Sequence, residues 1–348
     1  MFSTFKHPAV AAAFGLGLAA AAMAAAPAPA AASSVLDRVR AAGEVVCGID
    51  QTPGFSRIDE TGRPAGFDVD MCRAVAAAVL GDPEAIRTLR VNTRHKFEAV
   101  TAGEIDIAFG MTTWTFSRDT DLGVVFPVVT YYDGQGFMAW GDAGVATLTD
   151  LARVPICVQT GTTSEANLRD FLSPFPDALV VPVSSSEEKF TSFAERRCLA
   201  VTGDRSELAA QRSRRALDEG QWLLLPGAIS REPLGAVIVA GDPQWFSVVR
   251  WALLVPMIAE ARGLHSARLP PAPAEGAAAA DLEMSRLVGG DPAFGASLGL
   301  DRAWARRVVA TVGSYAEIFE RNLAPLGIDR GENTLWRDGG LLYAPPLR

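Results

Sequence analysis

GFDVDMCRAVAAAVLGDP, residues 66–83, decides the fold class. Val69, Cys72, Ala76 and Val79 recur at spacings of three and four, which predicts one apolar helical stripe. Asp68 is placed as an N-cap, and Asp68 and Asp70 put anionic charge where the helix dipole favours it. Gly81 and Pro83 end the helix. The chain just before it, GEVVCGID (43–50), reads as a strand. After it, HKFEAVTAG (95–103) reads as a short helix and EIDIAFGM (104–111) as the next strand. Strand, helix, helix, strand is the order of an α/β lobe with a largely parallel sheet.

The same order repeats further along. VPICVQTG, TTSEANLRDFL, ALVVPV, SEEKFTSFAERR and CLAVTGD alternate strand and helix and lead into the helical SELAAQRSRRAL. GQGFMAW (134–140) and PLGAVIVAG (233–241) are similar strands on either side of this second unit, and the amphipathic QWFSVVRWALLVPMIAEA follows. The reading is therefore two α/β lobes with two hinge crossings, near 140 and near 233. Lobe 1 takes 33–140 and 234–265, and lobe 2 takes 141–233. A Pro/Ala-rich connection (266–283) leads to a C-terminal helical extension (284–348) on lobe 1. A hinge between two lobes suits closure around a ligand.

The whole composition fits that picture. A chain of 348 residues with 49 % hydrophobic and 21 % charged residues is long enough for two lobes. Its net charge of -8 argues against nucleic acid and anionic lipid as partners. Residues 1–32 combine Lys6 and His7 with an apolar, alanine-rich run and small-residue A-x-A sites, which predicts a secretory signal peptide cleaved between Ala24 and Ala32. Pro27 and Pro29 and the shortness of the run argue against a retained anchor. Four cysteines without a C-x-x-C and three histidines make a zinc site a poor expectation. No metal or other cofactor is expected. In an exported chain, disulfides are the better use of cysteine. Pairing within lobes leaves the hinge free, which predicts Cys47–Cys72 and Cys157–Cys198.

Four places could carry binding chemistry. GMTTWTFSRDTD (110–121) follows a strand directly, where ligands bind in α/β sheets. Arg118 can fork a carboxylate, with Thr112, Thr113 and Thr115 as added donors; the plainer alternative is a helix start capped by Ser117. Asp204, in AVTGDRSEL, follows a strand of the other lobe and could accept a ligand ammonium, or could cap a helix together with Glu207. Gly161, Thr162 and Thr163 form a strand-to-helix turn suited to an anion, and Thr162 with Glu165 also fits a capping box. Phe55, on the loop after the first strand, could cover an apolar ligand stem or simply pack inside the lobe.

At this point the residues resemble a family. GFDVDMCRAVAAAV is similar to the signature of the family-3 extracellular solute-binding proteins of ABC transporters. TTWTFSRDTDLG, YYDGQGFM, GTTSE, TGDRSELAA, EPLGAV, GDPQWFSVVRW, GLDRAWARRVVATVGSYAEIFERNLA and LWRDGGLLYAPPLR resemble its general L-amino-acid-binding branch. The resemblance covers essentially everything after the signal segment. It implies the two-lobed type II periplasmic binding protein fold. By position it places Arg118 on the α-carboxylate, Thr112 and Thr113 beside it, Asp204 on the α-ammonium, Gly161, Thr162 and Thr163 in the second-lobe turn, and Phe55 as the first-loop aromatic.

The implied protein is a monomeric periplasmic carrier that hands an L-amino acid to an ABC permease. One departure is Phe109, Gly110 and Met111, where relatives carry a polar, often charged stretch; it predicts a more apolar ligand side chain. The rival expectations are a dehydratase-like enzyme on the same fold and a module that presents ligand to a sensory receptor. The enzyme would need an acid or base, and His95, beside Arg94, is the one histidine expected near a pocket loop; His265 is not. No nucleophile-elbow pattern is present.

Overall fold

The structure is a computed structural model and describes residues 1–4, 34–93, 95–218, 220–272 and 281–348. The signal segment expected over 1–32 lies outside the described residues apart from its first four. So do Arg94 and residues 273–280 of the Pro/Ala-rich connection.

The strand Val45–Ile49, buried along its whole length, is the centre of a three-stranded parallel sheet between Ile86–Arg90 and Ile107–Ala108. The helix Phe67–Leu80 packs on it. Its burial exceeds the single stripe read from sequence: from Phe67 to Ala78 every residue but Arg73 is buried. The outer face is covered by the helices Pro243–Ala261 and Trp304–Thr311, and a helix covered on both sides is apolar all round. Asp68 is not the cap expected. The helix begins after Gly66, and the Asp68 carboxylate instead accepts the Gly110 N–H at 3.0 Å.

The second sheet has five strands in the order Val180–Val183, Ile156–Gln159, Ala200–Asp204, Gln135–Trp140, Trp222–Leu224. The strand Gln135–Trp140 therefore belongs to the second sheet, not to the first lobe as the sequence reading had it. It pairs antiparallel with Ala200–Asp204, with Gln135 opposite Asp204. The polypeptide thus crosses earlier than residue 140.

Two strands make the crossing. Val129–Asp133 and Glu232–Gly235 pair antiparallel, with Glu232 opposite Asp133. The other edge of Glu232–Gly235 receives the Thr-Thr segment: Gly235 N–H donates to Thr112 O at 3.0 Å, and Trp114 N–H to Pro233 O at 2.8 Å. This pairing lays Thr113 beside the second crossing strand.

The C-terminal helices Trp304–Thr311 and Tyr315–Asn322 join the first lobe's core. Arg321 and Asn322 bind the Asp70 carboxylate at 2.7 and 2.6 Å. Asn333 brackets the first crossing strand, accepting from Tyr132 N–H at 2.7 Å and donating to Tyr132 O at 2.8 Å. Cys47–Cys72 and Cys157–Cys198 are bonded, each inside one lobe. No helix among the described residues is long and apolar enough to cross a membrane.

Candidate binding cleft

Arg118 lies in the short helix Phe116–Asp121. Thr115, not Ser117, caps that helix, accepting from the Arg118 N–H. The guanidinium turns back over the strand end. Its Nη1 donates to Thr113 O at 2.8 Å, and its carbon sits 5.4 Å above the Phe97 ring. Its other N–H groups donate to no described residue. Burial lowers the Arg118 pKa, while Glu232 and Asp204 oppose the shift. Those two carboxylates are thus close enough for their charges to act on it.

Asp204 ends its strand, half-buried, and makes no capping bond. The reason is local. Asp133, from the crossing strand, takes the helix terminus: its carboxylate accepts from Ser206 N–H at 3.3 Å and from the Ser206 hydroxyl. Glu207, the other half of the expected capping box, is drawn to Lys189 at 2.7 Å and Ser186 at 2.6 Å. The Asp204 carboxylate is left without a hydrogen bond to any described residue. Burial first, then Asp133, Glu232 and Glu207, push its pKa well above the usual carboxylate range, and Lys189 pulls it down. Burial likewise pushes the Asp133 carboxyl up to about 6, against the Ser206 and Gly134 donors. A carboxyl held this way gains from a cation brought beside it.

The remaining expected residues divide into four groups. Thr113 and Thr163 meet, with their hydroxyl oxygens 3.3 Å apart, and both reach Glu232. Thr112 lies underneath, accepting from Lys96 Nζ at 2.7 Å and donating to Phe109 O at 2.9 Å, so its hydroxyl is spent on the protein. Gly161 and Thr162 serve the helix that follows: Thr162 Oγ1 accepts from Glu165 N–H at 3.1 Å, and Gly161 N–H donates to the Glu165 carboxylate at 2.7 Å. Phe55 is 1 % exposed and meets Phe67 and Tyr131 edge-on at 5.9 and 5.3 Å. It packs in the first lobe's core because two aromatic edges there enclose it more fully than a cleft wall would.

Phe109 also faces the core, at 1 % exposure, whereas Met111 is half-buried at the edge of that core. Gly110, with φ of 80°, leaves room for two charged side chains. A Cβ there would sit 3.3 Å from both the Asp50 carboxyl carbon and Lys96 Nζ. Burial lowers the Lys96 pKa to about 8 against the pull of Asp50. Burial, with Asp50 adding, raises Asp68 to about 7. The expectation of an apolar side-chain preference therefore loses the support of Phe109.

Sequence reasoning missed Glu232, Asp50 and Lys96. Only Glu232 carried a signal, since a charged residue opening an otherwise apolar strand is costly to bury without partners. His95 is exposed on the helix His95–Thr101, 3.9 Å from Glu104. Among the described residues no group of three or more His, Cys, Asp or Glu is arranged to hold a metal.

Residues 45–260 match the profile of the bacterial extracellular solute-binding proteins, family 3. The chain is 40 % identical over 323 residues to the putative amino-acid ABC transporter-binding protein YhdW of Escherichia coli K12, covering 91 % of this chain and 93 % of that one. It is also 40 % identical to the glutamate/glutamine/aspartate/asparagine-binding protein BztA of Rhodobacter capsulatus, over 91 % of this chain and 94 % of that one. Among solved structures, an ABC transporter periplasmic binding protein from Brucella ovis with glutathione bound superimposes with a TM-score of 0.84 at 38 % identity. That match covers 91 % of this chain and 100 % of the other.

Proposed function

This chain belongs to the bacterial extracellular solute-binding proteins, family 3, and from that premise we propose how it holds its cargo. The cleft takes an L-amino acid as a zwitterion. The unspent N–H groups of Arg118, with backbone amides of the Thr-Thr segment, hold the α-carboxylate. Asp204 holds the α-ammonium. The observation that supports the reading is that the Arg118 guanidinium of one lobe and the Asp204 carboxyl of the other lie within electrostatic reach, each with hydrogen-bonding capacity unspent on the described residues. Burying both ends of a zwitterion costs several kcal/mol per ion unless each finds a partner. Thr113 and Thr163 close over the ligand, while Gly161 and Thr162 hold the second-lobe turn in shape. Asp50 and Lys96 lie toward the ligand side chain, which favours polar amino acids.

YhdW is named as a putative amino-acid ABC transporter-binding protein and BztA as an amino-acid-binding protein, and the chain is a carrier of that kind rather than an enzyme. Its expected partner is an ABC permease. We assign it to the periplasm as a monomer, on the N-terminal export pattern and on relatives such as the general L-amino acid-binding periplasmic protein AapJ of Rhizobium johnstonii, 40 % identical over 91 % of this chain. The test is calorimetry of the mature protein against the common L-amino acids and glutathione, beside Arg118→Ala and Asp204→Ala. The expected result is binding of one or more polar amino acids, lost in both variants. Wild-type binding by either variant refutes the assignment of that residue.

A further inference from the structure

We propose that Glu232 is a positioning residue that latches the two lobes together and sets which way the cleft hydroxyls point. The inference rests on the amino-acid-binding reading above. Glu232 opens the second crossing strand and is 2 % exposed. Four neutral donors surround it. Thr113 Oγ1, from the first lobe, donates at 2.6 Å. Asn167 Nδ2 and Thr163 Oγ1, from the second lobe, donate at 2.9 and 3.4 Å, and Ser230 Oγ completes the set at 2.5 Å. No described arginine or lysine hydrogen-bonds it. A buried carboxylate without a bonded cation is tolerated only while its donors are assembled. Here they come from both lobes. Opening the cleft parts Thr113 from Asn167 and Thr163, so Glu232 cannot keep donors from both lobes, and it ties the closed arrangement together without passing through the ligand.

The same bonds fix hydrogen positions. A threonine hydroxyl has one proton to give. Thr113 gives its proton to Glu232. Thr163 gives its own to Glu232 or to Thr113. Both hydroxyls therefore turn lone pairs toward the ligand. They suit an ammonium and cannot donate to a carboxylate. The carboxylate is left to Arg118 and backbone amides, which orients the ligand in one direction.

The test uses the full mature protein with a fluorophore pair on the two lobes and L-glutamine as the probe. The variants are Glu232→Ala, Glu232→Gln and Asn167→Ala. For Glu232→Ala, the closed fraction without ligand should fall and the L-glutamine off-rate rise by about tenfold, with the on-rate within about twofold. Glu232→Gln keeps an acceptor oxygen for Thr113 and should restore the closed fraction and the off-rate to within about threefold of wild type. Asn167→Ala should move both quantities in the direction of Glu232→Ala, by less, and decides the matter if Glu232→Ala does not fold. Wild-type closed fractions in Glu232→Ala and Asn167→Ala overturn the latch. A Glu232→Gln protein as open as Glu232→Ala overturns it too. The ligand-free measurement stands even if L-glutamine does not bind, so failure of the binding reading remains distinguishable from failure of the latch.

Discussion

Thr113 of the first lobe and Thr163 of the second bring their hydroxyl oxygens within 3.3 Å across the cleft. Gln159 reaches Thr93 across the same gap at 3.5 Å. The lobes are therefore in contact. Replacing both threonines by cysteine places two sulfurs where a disulfide can form with little backbone movement. The oxidised Thr113→Cys/Thr163→Cys protein should be locked shut and exchange no ligand, and mild reduction should free the lobes to open again. Failure to form this cross-link under oxidation would show that the lobes do not meet this way in solution.

Asp204→Asn is expected to separate binding from stability. The Asp204 pKa is raised by burial and by the surrounding carboxylates. A carboxyl whose folded pKa lies above its unfolded value contributes stability below the unfolded pKa and loses it as pH rises through the folded one. At pH 7 to 8 the asparagine variant should melt higher than wild type, with the gain shrinking toward pH 4. Amino-acid binding should be lost. A variant that melts lower at pH 8 would contradict the charge argument.

Asp68 offers a second pH signature, away from the ligand charges. Its carboxyl is raised from 3.8 to about 7. By the same sign, its contribution is present below pH 4 and is lost as pH rises through about 7. Asp68→Asn can still accept the Gly110 N–H and carries no charge. Relative to the variant, wild type should lose about 2–4 kcal/mol between pH 4 and 8. Urea unfolding at a series of pH values measures this, and parallel curves for the two proteins would refute it.

Much of the fold was legible because its signals are local. Gly81 and the run before it announce the helix Phe67–Leu80, and GQGFMAW announces a strand. Strand partnership is not local, and so GQGFMAW went to the wrong sheet: its neighbours are Ala200–Asp204 and Trp222–Leu224, more than fifty residues away. Arg118 and Asp204, proposed to hold the ligand charges, stood out because the sequence puts each near a strand end; in the structure Asp204 ends its strand and Arg118 lies in the short helix beyond one. The threonines are visible in the sequence but their partners are not, since a hydroxyl's partner depends on what lies opposite. Glu232 escaped notice because its role exists only where Thr113, Asn167 and the crossing strand converge. Asp133 took the capping role that local spacing had given to Asp204 and Glu207, because the crossing strand brings it to the helix terminus.

The last expectation concerns Gly110, the residue at the centre of the FGM departure. Gly110 and Gly62 both have φ of 80°, so alanine at either meets the same backbone strain, about 1 kcal/mol or more. They differ in surroundings. Nothing lies within 4 Å of a Cβ at Gly62, whereas at Gly110 the Asp50 carboxyl carbon, the Asp50 amide and Lys96 Nζ all lie at 3.3 Å. Lys96 cannot easily give way, because its ammonium is held by Gly110 O and Thr112 Oγ1 at 2.7 Å each. Gly62→Ala should therefore cost only the backbone strain and leave binding intact. Gly110→Ala should cost about 1–2 kcal/mol more by urea denaturation and weaken amino-acid binding, since the new methyl presses on both Asp50 and Lys96. Equal stability losses in the two variants would mean that Asp50 and Lys96 tolerate the added methyl, and that the glycine is there for its backbone angle alone.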